Sequence, residues 1–259
     1  MENEFRYIET SIEDSIAQIR LNRPDVLNAL NRSMVKEIIT ALQDFNVNEQ
    51  VKVIVLSGKG RAFAAGADID EMAEDTPITM ELLDPFADWD EIYRIKKPII
   101  CAVHGYCLGG GFELALSADI LIAAENTKFG FPEVKLGVMP GAGGTQLLTR
   151  LIGKNRALEW LWTGEMRDVT EAYQLGIVNR IVPKELLLEE TLKFAQVISK
   201  QPPLSLRLIK EASSKAFDYT LHEGMQFERK NFYLLFATED QKEGMKAFLE
   251  KRKPNFQGK

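Results

Sequence analysis

Histidine and cysteine are scarce in this 259-residue chain, with two of each. His104 and His222 have no convergent set of ligand residues around them in the sequence, which argues against a metal centre. Cys101 and Cys107 show neither CxxC spacing nor the spread of a disulfide framework, and they read as reduced thiols of a cytoplasmic protein. No apolar run reaches the length of about 18 residues that a membrane-spanning helix needs. A basic face is missing too. Acidic residues outnumber basic ones, 38 to 32, and the densest basic stretch, "EKRKP" at 250–254, begins with an acid. Nucleic acid and membrane are therefore not expected partners. The opening "MENEFRYIET" lacks the basic region and apolar core of a secretory signal. There is no fixed-length repeat and no low-complexity linker.

What remains is an alternation of buried strands and amphipathic helices. "FRYIETSI" and "SIAQIRL" alternate in the manner of strands. "SMVKEIITALQDF" puts Met34, Ile38, Leu42 and Phe45 on one helical face. "VKVIVLSG" and "IICAVHG" are continuous apolar strands of a sheet covered on both sides. "DILIAA" and "TKFGFPEVKLGV" also read as strand-like, and "PITMELLDPFADWDEIYRIKKP" as a helix interrupted at Pro85. From about Lys184 the pattern is mostly helical, with the best break at "KQPPLS", residues 200–205.

Three small-residue clusters stand out. "CLGGGFELAL" opens an apolar helix with glycines and places Glu113 in its first turn. Free N–H groups at such a start can hold a developing negative oxygen. The same residues also fit tight packing beside an exposed first-turn acid. "FGFPEVKLGVMPGAGG" carries Glu133 in a Pro/Gly frame, either as half of a carboxylate pair or as a surface loop acid; spacing alone does not place it beside Glu113. "AFAAGADI" lets a ligand approach the backbone closely, but Gly58, Gly60 and Gly66 do not match GxGxxG, so a dinucleotide fingerprint is rejected. His104, flanked by apolar residues, reads as a structural histidine, and the two thiols as packing residues.

Several blocks occur in order along nearly the whole chain: "LNRPDVLNALN", "GRAFAAGADI", "KKPIICAVHGYCLGGGFELALSADI", "FGFPEVKLGVMPGAGGTQLLTRLIG", "AxxLGIVNRIV" and "EDQKEGMKAFLEKRKPNF". On these the chain resembles the crotonase (enoyl-CoA hydratase/isomerase) superfamily, most closely its enoyl-CoA hydratases. The resemblance implies an α/β fold: a crotonase-like spiral of ββα units over residues 1–200, then a C-terminal helical trimerisation region over 201–259. It implies an acyl-CoA thioester substrate and a homotrimer or dimer of trimers. No metal or other cofactor is expected, since coenzyme A is part of the substrate.

By motif position, the resemblance makes Glu113 and Glu133 the catalytic acids, with Glu133 as proton donor to C2. The N–H groups of Ala67 and Gly110 become the oxyanion hole, and a backbone group of Gly141 helps to hold the water. Ala65, Asp68 and Ile69 fall at the adenine end of coenzyme A, and Val26 and Leu27 flank its pantetheine. Phe248 and Lys251 match tail positions that reach a neighbouring subunit's coenzyme A. Asp70 departs from the pattern: many relatives carry Lys there, so this position offers no cation to a phosphate. The implied reaction is hydration of a 2-enoyl-CoA in fatty-acid or related acyl-CoA degradation. An isomerase of the same fold needs only the acid at position 133. A hydrolase or lyase needs a further polar group near the acyl chain. A non-catalytic acyl-CoA or RNA-binding relative finds little support in the acidic balance. The acyl-pocket wall is expected in segment 74–93, with Trp89 as a contact.

Overall fold

The computed structural model describes residues 5–259. The chain begins with a hairpin of β1 (Ile8–Glu13) and β2 (Ile16–Leu21), turned by Asp14 and Ser15 at φ 49° and 65°. Two consecutive positive φ values match the right-handed twist of the flanking strands. α1 (Arg32–Val47) follows, capped by Asn31, whose side chain accepts the Met34 N–H at 2.8 Å. Then come β3 (Val53–Gly58), α2 (Pro77–Leu83), α3 (Ala87–Asp90), β4 (Ile99–Val103), β5 (Tyr106–Leu108) and α4 (Gly110–Leu116). They are followed by β6 (Ile120–Ala124), β7 (Lys128–Gly130), α5 (Gly144–Ile152), α6 (Lys154–Thr163), β8 (Arg167–Asp168), α7 (Val169–Gln174) and β9 (Arg180–Val182). The chain ends in α8 (Leu187–Ser199), α9 (Pro203–Lys215), α10 (Leu221–Leu235) and α11 (Glu239–Leu249).

The main sheet has the order β1-β2-β3-β4-β6-β9 and is parallel except for the β1–β2 pair. A smaller sheet, β5-β7-β8, lies beyond it. Every residue of β3 and β4 is buried, because both faces are covered. One face packs on a large cluster that includes the α1 stripe (Met34, Ile38, Leu42, Phe45) and Phe112 of α4. The other face carries Val53, Val55, Ile100 and Ile122 against Leu187 and Ala195 of α8. The expected boundary at 200/201 falls between α8 and α9. α9 is tied back to the sheet layer by Lys210, whose Nζ donates to Asp119 at 2.8 Å and to the Lys97 carbonyl at 3.0 Å.

Three expectations need correction or extension. The stretch 127–138 is strand only over β7. From Pro132 it turns into a 3-10 helix, Pro132–Leu136, because proline cannot donate to a ladder and its fixed φ suits a helix start. Residues 154–182, given no separate elements above, hold α6, β8, α7 and β9. Glu113 is not an exposed first-turn acid but is 3% exposed, and all seven residues of α4 are buried. The expected break at Pro85 separates α2 from α3.

The loop after β3 is drawn into the fold by its backbone. Ala64 donates to Tyr106 O and accepts from Leu108 N–H, while Leu30 and Ala67 form a parallel bridge. Buried Asn28 holds the near end, donating to the carbonyls of Lys59 and Ala62 at 2.9 and 2.8 Å. α4 then passes so close that a Cβ at Gly111 would lie 2.6 Å from Ala64 Cβ and closer still to its carbonyl oxygen. Gly111→Ala is therefore expected to destabilise the fold by about 2 kcal/mol or more, as overpacking against backbone does. Gly224→Ala on α10, where a Cβ meets nothing within 4 Å, is expected to leave stability unchanged or raise it. Thermal melts of the two variants measure the difference.

Candidate active site

One cavity of about 750 Å³ opens between the β3 loop, the start of α4 and the turn before α5. Ala65, Ala67, Asp68, Ile69, Gly110, Glu113, Glu133 and Gly141 all line it. Their elements come from distant parts of the chain, and the backbone bridges described above set their spacing. Ala67 N lies 3.6 Å from where a Gly110 Cβ would stand. Neither the Ala67 N–H nor the Gly110 N–H donates to any acceptor among the described residues. For Gly110 the cause is its place as the first residue of α4, before any intrahelical bond forms.

The two carboxyls are built differently. Glu113 Oε1 accepts the N–H groups of Ala142 at 2.8 Å and Gly144 at 2.7 Å. Both lie at the glycine-rich entry to α5, which turns through Gly143 at φ 108°. Burial raises the Glu113 pKa, while these two hydrogen bonds favour its ionised form. Glu133 follows Pro132 in the 3-10 turn, and its Oε2 is buried with no hydrogen-bond partner. Burial pushes this carboxyl up to about 7; its own backbone N–H opposes the rise, and the Glu113 charge adds to it. A Cβ at Gly109 would lie 2.8 Å from Glu133 Oε1, so a side chain there would displace the acid. Gly109 also sits at φ 50°, ψ −129°, a backbone shape that suits glycine.

The far wall is apolar. Met80 and Leu83 of α2, Phe86, and Trp89 of α3 line it with Leu136 and Met139. Phe86 is seated over Gly141, where an added Cβ would lie within 3.2 Å of three ring atoms. Segment 74–93 and Trp89 thus fall where the sequence reading put them.

Other expected residues lie outside the cavity lining. Val26 is exposed, and Leu27 at φ 53° gives its carbonyl to the Ala65 N–H at 3.0 Å. Asp68, which does line the cavity, has its carboxylate paired with Arg23 at 2.9 Å. Phe248, 82% exposed, lies at the end of α11, and Lys251 two residues beyond that helix. His104 Nε2 lies 3.1 Å from the Gly60 carbonyl, and both thiols are buried, their pKa values raised by that burial. The sequence reading missed Ala142 and Gly144, which hold Glu113, and Gly109, which makes room for Glu133. The signal was the run "GAGG" before a helix, a place of unclaimed N–H groups.

The enoyl-CoA hydratase/isomerase family model matches residues 11–259. The chain belongs to this family. It is 46% identical over 244 residues to a probable enoyl-CoA hydratase of Mycobacterium bovis, covering 94% of this chain and 95% of that one. Among solved structures, an enoyl-CoA hydratase subunit I from Geobacillus kaustophilus superposes with a TM-score of 0.98 at 65% identity, covering 99% of this chain and all of the other. An enoyl-CoA hydratase from Bacillus anthracis gives a TM-score of 0.93 at 36% identity, with 98% of this chain and all of that one covered. The crotonase fold is thus that of the chain.

The unpartnered Glu133 carries a pH signature. Its value of about 7 lies above the 4.5 of an ordinary glutamate, so the folded protein binds this proton more tightly than the unfolded chain. The associated stability is present below 4.5 and is lost as pH rises through about 7. Glu133→Gln, which cannot ionise, is expected to gain melting temperature relative to the parent between about pH 5 and about pH 8. An equal difference at both ends of that range, read by circular dichroism, would contradict the assignment.

Proposed function

We propose that this cavity adds water across the 2,3 double bond of a 2-enoyl-CoA thioester and yields a 3-hydroxyacyl-CoA. One observation carries the reading: two carboxyls, one held by two backbone N–H groups and the other with a buried oxygen that has no partner, face one cavity beside two N–H groups that donate to no acceptor among the described residues. The thioester oxygen accepts from Ala67 and Gly110. Water between the acids gives a proton to ionised Glu113 as its oxygen attacks C3. Neutral Glu133 delivers a proton to C2, and charge that builds on the thioester oxygen is held by the two N–H groups. Each such donor supplies roughly 10²–10³ in rate. Proton exchange through solvent resets the pair. Backbone at Gly141 helps to hold the water, and Ala65, Asp68 and Ile69 line the path of coenzyme A. The substrate brings its own coenzyme A, and the scheme calls on no further cofactor.

Retention of both acids supports hydration over double-bond isomerisation, which needs one. The apolar wall of Met80, Leu83, Phe86 and Trp89 supports an acyl group without charge at its far end. Copies of the chain meet through the exposed aromatic face of α10, where Phe232, Tyr233 and Phe236 pack on one another; contiguous apolar surface of this kind marks an interaction site. Phe248 and Lys251 then reach a neighbour's coenzyme A. Assembly in multiples of three is the expected state by light scattering.

Loss of crotonyl-CoA absorbance with purified protein tests the activity. Glu113→Gln and Glu133→Gln are each expected to lower kcat by at least ~10²-fold, the size of a general acid–base contribution. Gly110→Pro, which deletes an oxyanion donor, is expected to abolish turnover, whereas Cys107→Ala retains most of it. Near-normal turnover in both glutamate variants would remove the assignment. With Glu133 as the acid, kcat/KM is expected to fall as pH rises through about 7.

A further inference from the structure

On the face of the main sheet covered by α8, the apolar layer ends in a polar row. The strand register sets Arg20 of β2 beside Ser57 of β3, and Ser57 beside Ala102 of β4. His104 follows two residues after Ala102 on the same side. Arg20, Ser57 and His104 line a second cavity of about 150 Å³, together with Leu187 and Leu188 at the start of α8. It shares no lining residue with the larger cavity. It sits at the carboxyl ends of parallel strands, where α/β sheets take ligands.

The polar groups there are not satisfied by the protein. Ser57 is 9% exposed, and its hydroxyl has no hydrogen-bond partner among the described residues. His104 is 7% exposed and spends Nε2 on the Gly60 carbonyl, which leaves Nδ1 free. Arg20 makes no ion pair among the described residues. Glu9 stands opposite it in the β1–β2 register, but Glu9 is held by Lys59 at 2.7 Å. No side chain caps the start of α8. No carboxylate lines the cavity. The local potential is positive: burial lowers the His104 pKa against the Gly60 hydrogen bond, and Lys184 and Arg20 lower it further. Arg20 itself is solvent-exposed.

We propose that this second cavity binds a small tetrahedral oxyanion that carries an O–H, of the inorganic phosphate class, between Arg20, Ser57 and His104. Arg20 supplies the charge and a forked donor. Ser57 donates to a second oxygen. Because Nε2 donates to Gly60, neutral His104 presents Nδ1 as an acceptor and takes the ligand's O–H. The volume of about 150 Å³ accommodates such an anion.

Calorimetric titration of the full chain with phosphate at constant ionic strength tests this, with sulfate as the second ligand. Saturable phosphate binding is expected. Arg20→Gln and Ser57→Ala are each expected to weaken it by about tenfold, the scale of one lost charge-assisted hydrogen bond. Both variants are expected to keep parental 2-enoyl-CoA hydration, which reports that they fold. Sulfate, which has no O–H near neutral pH, is expected to bind at least several-fold more weakly. No saturable phosphate heat, or unchanged phosphate affinity in both folded variants, would overturn the site. Sulfate binding as tightly as phosphate would overturn the role given to Nδ1.

Discussion

Backbone meets backbone where Gly111 of α4 packs on Ala64, and the geometry of the larger cavity depends on that approach. Any side chain at position 111 would push the helix off the β3 loop and carry Gly110 away from Ala67. The free N–H groups would then no longer converge. The approach is held from both sides: Ala64 exchanges hydrogen bonds with the β5 strand, and Leu30 with residues 66 and 68. The glycines opening α4 thus have separate duties. Gly109 makes room for Glu133 and supplies the turn, Gly110 presents a donor, and Gly111 permits contact.

The electrostatics follow from the same packing. A carboxyl as buried as Glu113 is tolerated because two N–H groups at the α5 entry donate to its Oε1. Glu133 has a partnerless buried oxygen, and burial together with the neighbouring Glu113 charge raises its pKa to about 7. Two identical side chains thus have different hydrogen-bonding surroundings, while burial raises the pKa of both. The second cavity obeys the same physics with the sign reversed: donors and cations collect at strand ends and no carboxylate answers them.

Much of this was legible in the chain. The α1 stripe, the two-sided strands β3 and β4, the break at Pro85 and the helical tail all follow from period and breaker residues read locally. The strand reading of 127–138 held only over β7, because Pro132 starts a 3-10 turn among the β-branched and aromatic residues there. α6 carries its buried Ala157, Trp160 and Leu161 at helical spacing, but exposed Trp162 blurs the stripe. The ordered motif blocks pointed to the family and to Glu113, Glu133, Ala67 and Gly110 together, since glycine runs and acids at fixed offsets survive as sequence.

By itself the sequence determined the class of fold, the helix and strand faces and the residues worth watching, because those depend on neighbours a few positions apart. Only the tertiary structure decided that Glu133 lies beside Glu113, that Ala142 and Gly144 hold one acid while an oxygen of the other has no partner, and that Ser57, His104 and Arg20 share a cavity. Those facts depend on strand register and on backbone contacts between segments dozens of residues apart. Protonation is set by burial and partners in space, and no local pattern of residues encodes either.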